Sequence, residues 1–239
     1  MNDRTKLEKS ADEWMKLHID ALFTQDERSR LRNINEPWPG SGPAPRFYLG
    51  RTIAGTTCCR FRVDVPDPIV ERLEALCAEE PDLNDLEAKP KSADAYMALL
   101  QSRNFEMGPC YVIPPMAATS SDAVRITREN MDGLLRDGFE WLRAEIDYAQ
   151  PCIAIVRDNR AVSICRSVRI TPRAHEAGLE TLDEYRGKGY AGEAVAGWAS
   201  AVREAGSLPM YSTSWENRSS RRVAEKLALG LYGVEFSIR

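Results

Sequence analysis

Two groups of residues in this sequence could do chemistry by type and spacing. The first is the run Thr181-Leu182-Asp183-Glu184-Tyr185-Arg186-Gly187-Lys188-Gly189-Tyr190-Ala191-Gly192, which reads as the end of a strand, a glycine-bearing turn and the start of an amphipathic helix. Amides at a helix N-terminus have no intrahelical acceptor, and the macrodipole adds partial positive charge, so such a turn cradles an anion. Glycine at 187 and 189 removes the Cβ that would hold the anion away from the backbone. Phosphate or pyrophosphate is the ligand this predicts. The second group is a pair of carboxylates, Glu176 and Glu180, four residues apart on the strand that enters the turn and hence on one of its faces. A positioned carboxylate can serve as a general base. His175, on the opposite face, is an alternative base or simply a strand residue.

The glycine pattern argues against a Walker loop, since Gly-x-x-x-x-Gly-Lys-Ser/Thr is absent, and although Gly187, Gly189 and Gly192 have the Gly-x-Gly-x-x-Gly spacing, the strand before them ends an antiparallel meander and not the βαβ unit of the full dinucleotide fingerprint. The six cysteines, Cys58, Cys59, Cys77, Cys110, Cys152 and Cys165, form no Cys-x-x-Cys pair, and the only histidines are His18 and His175, so no metal site is expected. Several cysteines have apolar or β-branched neighbours, as reduced, buried thiols of a cytosolic protein do. A net charge of -4 with dispersed Arg and Lys gives no basic tract for a phosphate backbone, which argues against nucleic acid. No window approaches the roughly 20 apolar residues of a membrane helix, and residues 1–9 are charged where a secretion signal would turn apolar. The expectation is a cytoplasmic protein with no membrane contact, of ordinary globular composition at 43% hydrophobic and 28% charged residues.

The elements that must position these groups follow from capping, periodicity and turn residues. Ser10/Glu13 and Thr24/Glu27 match capping boxes, predicting helices at about 11–22 and 25–34. Residues 35–45, rich in Pro, Gly and Ser, make a loop. A hairpin is expected from strands at 46–51 and 57–65 around Ala54-Gly55, then helices at about 66–79 and 92–101 with a solvated connection between them. A short strand at 111–113 and a linker at 114–121 suggest a boundary, giving an N-terminal α+β region at 1–120 and a second domain at 121–239. Beyond it the pattern predicts a strand at 123–126, a helix over 128–148, and an antiparallel meander at 152–156, 162–170 and 175–182. The turn Arg157-Asp158-Asn159-Arg160 joins its first two strands. A helix at 189–205, a strand at 210–214, a helix at 218–229 and a strand at 231–238 complete the order.

On these residues the chain resembles a known family. Arg186-Gly187-Lys188-Gly189-Tyr190-Ala191 looks like the Arg/Gln-x-x-Gly-x-Gly/Ala motif of the GNAT superfamily of N-acetyltransferases. The stretch Tyr211-Ser212-Thr213-Ser214-Trp215-Glu216-Asn217-Arg218-Ser219-Ser220 resembles that family's fifth strand and following helix start. The two stand in the family's order and spacing, and the resemblance covers about residues 123–239. It implies an α/β (α+β) fold with a mixed, mostly antiparallel central sheet flanked by helices. It also implies acetyl-CoA as acyl donor: the backbone of Leu179, Glu180 and Thr181 beside the pantetheine arm, and Arg186, Gly187, Lys188, Gly189, Tyr190, Ala191 and Gly192 around the pyrophosphate. Asn217 matches an asparagine that contacts the cofactor arm, although asparagine also caps helices without any ligand.

Enzymes of that kind transfer the acetyl group directly, with a base on the fourth strand. Glu176 matches it best in distance from Arg186, with Glu180 second. Where many members carry a tyrosine to protonate the leaving thiolate, this chain has Ala224; either Tyr211, Tyr232, Ser212 or Ser214 replaces it, or the thiolate leaves with help from backbone and solvent alone. The function expected is acetyl-CoA-dependent N-acetylation of a primary amine on a small molecule or peptide, with residues 1–120 contributing to the acceptor pocket. The alternatives are a non-catalytic acyl-CoA-binding regulator, or an enzyme whose N-terminal half docks a protein partner. Homodimers are common in proteins of this kind, but no periodic seam argues for one.

Overall fold

A computed structural model describes residues 9–116 and 123–239. Helix α1 (Ala11–Leu22) opens on the reciprocal cap read from the sequence: the Ser10 hydroxyl accepts from the Glu13 amide at 3.2 Å, and the Glu13 carboxylate accepts from the Ser10 amide at 2.8 Å. The second expected helix is instead a hairpin of β1 (Phe23–Gln25) and β2 (Leu31–Ile34). Asp26 accounts for the difference. Its Oδ1 accepts from the amides of Arg28 and Arg30, both at 2.9 Å, an aspartate turn that competes with helix initiation. Thr24, which was expected to cap a helix, accepts from the Asn33 amide across the hairpin at 3.1 Å.

The rest of the first half comprises β3 (Phe47–Thr52), β4 (Thr57–Phe61), α2 (Asp67–Ala78), α3 (Ala93–Leu100) and β5 (Phe105–Val112). The second half comprises β6 (Ala123–Arg125), α4 (Met131–Leu134), β7 (Cys152–Arg157), β8 (Arg160–Ile170), β9 (Ala174–Thr181), α5 (Tyr190–Glu204), β10 (Leu208–Ser212), α6 (Arg218–Lys226) and β11 (Gly230–Ile238). Short 3-10 turns lie at Glu140–Ala144 and Asp183–Tyr185. The single helix expected over 128–148 is broken because Asp137 and Gly138 adopt φ of 56° and 135°, which no α-helix accommodates. The reversal between β7 and β8 has positive φ at both Asp158 and Asn159, as a tight hairpin turn requires. Part of the expected 114–121 linker lies outside the described residues.

Among the described residues nine strands form one sheet in the order β4-β3-β11-β5-β10-β9-β8-β7-β6. Every neighbouring pair is antiparallel except β9 and β10, so the chain has the mixed, mostly antiparallel α/β architecture expected. The sheet runs across residue 120: β5, from before it, lies between β10 and β11, from after it. On one face α1 buries Trp14, Met15, Leu17 and Ile19 against Tyr48, Cys110, Ala174, Met210 and Tyr232. On the other, α2 and α3 cover Phe47, Leu49 and Phe236, and α5 packs Val195, Trp198 and Val202 on Ile153, Ile155 and Cys165. Among the described residues no helix is long and apolar enough to cross a membrane.

Candidate active site

β9 and β10 pair for three residues only, Ala174 with Leu208, His175 with Pro209 and Glu176 with Met210. Beyond that point β9 stays with β8 as far as Thr181, and β10 stays with β5 as far as Ser212. A fork therefore opens between two parallel strands, with Glu176 at its apex. Opposite Glu176 the β8 ladder slips, so that Val168 has no partner between Ser167 and Arg169; bulges of this kind bend a strand and redirect its side chains.

One side of the fork leads into a cleft of about 430 Å³. Leu179, Glu180, Thr181, Arg186, Gly187, Gly189, Tyr190, Ala191 and Asn217, nine of the expected cofactor residues, line it together. Arg186, Gly192 and Glu193 direct their amides to Asp183, Gly189 and Gly189 oxygens. The amides from Gly187 to Ala191 have no backbone acceptor among the described residues and stand at the α5 N-terminus, where an anion finds donors and a favourable dipole. Gly187 and Gly189 hold φ of 78° and 93°, a region costly for residues with a Cβ. Gly192 and Lys188 are not in the lining. The Gly192 amide serves the first helical turn at 3.0 Å from Gly189 O, and the Lys188 ammonium lies 4.7 Å from the Tyr185 ring centre.

Sequence reasoning missed the opposite wall. Tyr185, Ser219, Ser220, Arg222, Val223 and Lys226 also line the cleft, and most of these belong to α6, whose run Arg218-Ser219-Ser220-Arg221-Arg222 was the available signal. Asn217 is the N-cap of that helix, its Oδ1 accepting from the Ser220 amide at 3.1 Å, and its side chain also faces the cleft. Another concavity, lined by Gln25, Asp26, Glu27, Arg28 and Arg32, lies on the open β1–β2 turn, away from the fork.

The α1 side of the fork is dry. Glu176 is 4% exposed, and neither carboxylate oxygen has a partner at hydrogen-bonding geometry among the described residues. Burial pushes its pKa up to about 8; the hydroxyl and amide of nearby Ser212 and the charge of Arg169 act against that rise, and the charge of Glu235 acts with it. Arg169 itself pairs with Glu36 at 3.5 Å. Glu180, by contrast, is exposed, so the two carboxylates share a strand but not an environment. His175 is spent on structure: its Nδ1 meets the Ser167 hydroxyl at 2.9 Å, and Trp198 Nε1 donates to the same oxygen at 3.1 Å.

Of the candidate hydroxyls, Tyr211 belongs to the α5 face and donates to Ser220 O at 3.2 Å. Tyr232 occupies a bulge in β11, between Leu231 and Gly233, and its ring packs among the α1 residues, where burial raises its pKa, with nearby Cys110 and Glu176 adding to the rise. The Tyr232 hydroxyl bonds to Nδ1 of His18 on α1. His18 is completely buried, and desolvation lowers its pKa to about 3. Glu235 keeps 22% of its side chain exposed, yet burial of its carboxyl still pushes the pKa up to about 7.

A parallel-strand fork, an anion-binding helix start beside it and a buried carboxyl at its apex define an acyl-group transferase. The chain belongs to the GNAT acetyltransferase family: the family model for the acetyltransferase (GNAT) domain matches residues 86–229. Similar folds occur in solved structures at low identity. A GNAT-family acetyltransferase from Colwellia psychrerythraea is 11% identical, with 97% of this chain and 98% of that one covered and a TM-score of 0.47. A GCN5-related N-acetyltransferase-like protein from Streptococcus suis is 16% identical over 82% and 85%, with a TM-score of 0.44. A GNAT-family protein from Novosphingobium aromaticivorans is 18% identical with a TM-score of 0.45; 57% of this chain is covered, and the match spans a little under two thirds, 65%, of that one. No curated protein matches the sequence.

Proposed function

We propose that this acetyltransferase transfers the acetyl group of acetyl-CoA directly to a primary amine of a small molecule or peptide, with Glu176 as the general base. The observation that carries the reading is the unpartnered Glu176 carboxyl at the fork apex. A buried carboxyl titrating near 8 is matched to taking a proton from an amine, because a general base works best with a pKa near the working pH. Glu180, exposed at the cleft edge, is assigned to the cofactor side.

The residues present fit the donor. The unspent amides from Gly187 to Ala191 would hold its pyrophosphate, with Arg222 and Lys226 of α6 as cationic partners for the remaining phosphate. Bound in this way, the donor supplies an activated thioester carbonyl. The unpaired edge of β9 beyond Glu176 would position it, and Ser212 and Tyr232, which share the Glu176 side of the sheet, are the hydroxyls available for the leaving thiolate. The acceptor would approach from the α1 face, to which residues before 120 contribute.

The test is thiol release from acetyl-CoA across a panel of primary amines and N-terminal peptides, with calorimetry of CoA binding alongside. Acceptor-dependent thiol release with saturable CoA binding is expected. Folded protein that ignores CoA at millimolar concentration would sink the proposal, and CoA binding without turnover on any acceptor would point to an acyl-CoA-binding regulator.

A further inference from the structure

Under α1, a group of side chains that the acetyl-transfer reading leaves unused comes together. His18 from α1, Cys110 from β5 and Glu235 from β11 each offer one donor atom, and these three atoms lie within 4.8 Å of one another. His18 Nε2 and Glu235 Oε2 are 3.6 Å apart. His18 and Cys110 are completely buried. His18 Nε2 has no hydrogen-bond partner among the described residues, although the other ring nitrogen is held by Tyr232. The Cys110 thiol makes weak contacts with backbone, 4.0 Å from Gly108 O and beside the Glu235 backbone.

We propose that His18, Cys110 and Glu235 form a zinc site. An imidazole nitrogen, a thiolate and a carboxylate are the mixed donor set zinc takes, whereas calcium and magnesium want oxygen alone. Donors around a tetrahedral zinc, at bond lengths of about 2.0–2.3 Å, stand roughly 3.3–3.8 Å from each other. The His18–Glu235 spacing already meets this, and since no spacing exceeds 4.8 Å the widest must close by at most about an ångström. A histidine ligand needs its second nitrogen fixed so that the first points at the metal, and Tyr232 does this for His18. The partly exposed Glu235 side chain supplies the way in. Binding one Zn²⁺ expels the Cys110 proton to solvent, together with any proton on Glu235, so thiolate and carboxylate neutralise the dication and no electrons move. Three protein donors leave a fourth position for water or another oxygen.

The test is metal content of the full chain purified without chelator, followed by titration of the metal-free protein with Co²⁺ as a spectroscopic stand-in. One equivalent per chain, tetrahedral d–d absorption and a thiolate-to-cobalt charge-transfer band are expected. Cys110→Ser should remove the charge-transfer band, Cys165→Ser should keep it, and Tyr232→Phe should weaken binding about 10- to 100-fold through the outer hydrogen bond. If Cys110→Ser does not fold, protection of Cys110 by added zinc from alkylation in mild denaturant, which admits the reagent to the buried thiol, decides the matter by mass spectrometry. No stoichiometric metal, a cobalt spectrum without the thiolate band, or alkylation of Cys110 indifferent to zinc would each overturn the site. None of these readouts depends on acetyl transfer.

Discussion

On the α5 side of the β9/β10 fork the groups that would recognise a ligand are mostly backbone amides and flexible basic side chains in a cleft open to water. On the α1 side they are buried side chains drawn from α1, β5, β9 and β11, with Glu176 and His18 each carrying unpartnered polar atoms. The contrast teaches a division of labour. A phosphate-bearing donor can be gripped by one turn, whose geometry a dozen consecutive residues determine. A base with a shifted pKa needs a dry enclosure, and that takes elements from both ends of the chain.

The largest expected effect is that of Glu176→Gln. Loss of a positioned base should lower kcat by about 10²–10⁴-fold while CoA affinity, measured by calorimetry, stays unchanged. Should the loss appear in CoA binding instead, the division between the two sides breaks. In the parent enzyme kcat/KM should climb with pH and level off above about 8, where the carboxyl is ionised. Stability should move the other way. The folded pKa lies above the ordinary 4.5, so the folded state holds the extra proton and is favoured at low pH, and that advantage fades as pH rises from 4.5 through about 8. Melting curves of Glu176→Gln should show a smaller decline that ends near pH 7, the remainder belonging to Glu235, whose pKa burial also raises, to about 7.

Next in size, Arg222→Ala should weaken CoA binding by about tenfold or more, the value of a hydrogen bond to a charged group, with strong salt dependence and no change in Tm. A smaller effect follows for Gly189→Ala: at φ of 93° a Cβ costs roughly 1–2 kcal/mol, which should appear as lower stability and poorer CoA affinity together. The smallest is Asn217→Ala, expected to cost about 1 kcal/mol of stability through the lost cap. Asn217→Asp sharpens the comparison, since it keeps the capping oxygen and removes the amide donor. Normal stability with weakened CoA binding would assign the side chain to both jobs.

The α5 side was legible in the sequence because its determinants are consecutive: nine of the expected cofactor residues line the cleft, and the meander, α5 and the Asp158-Asn159 reversal follow local rules. What failed was local competition and distant convergence. Asp26 made a turn where Thr24 and Glu27 signalled a helix, and Asp137-Gly138 broke a stretch read as continuous. Tyr232 was named among several hydroxyls, but nothing in the alternation of residues 231–238 announces the bulge that places it with α1. His18, Cys110 and Glu235 are far apart in sequence, and no spacing rule could have joined them. Arg222 and Lys226 of α6 were visible only as basic residues on a short helix.

The place of β5 in the sheet sets an order of assembly. This early strand has β10 on one side and β11 on the other, so during synthesis it waits, with both edges bare, for partners made more than ninety residues later. A bare edge is a template for pairing with other chains, and long-range pairing is slow. The vulnerable period for this protein is therefore translation itself: a ribosome stalled before β11 would present two unsatisfied strands, β3 and β5, to whatever chaperone or neighbouring nascent chain is at hand.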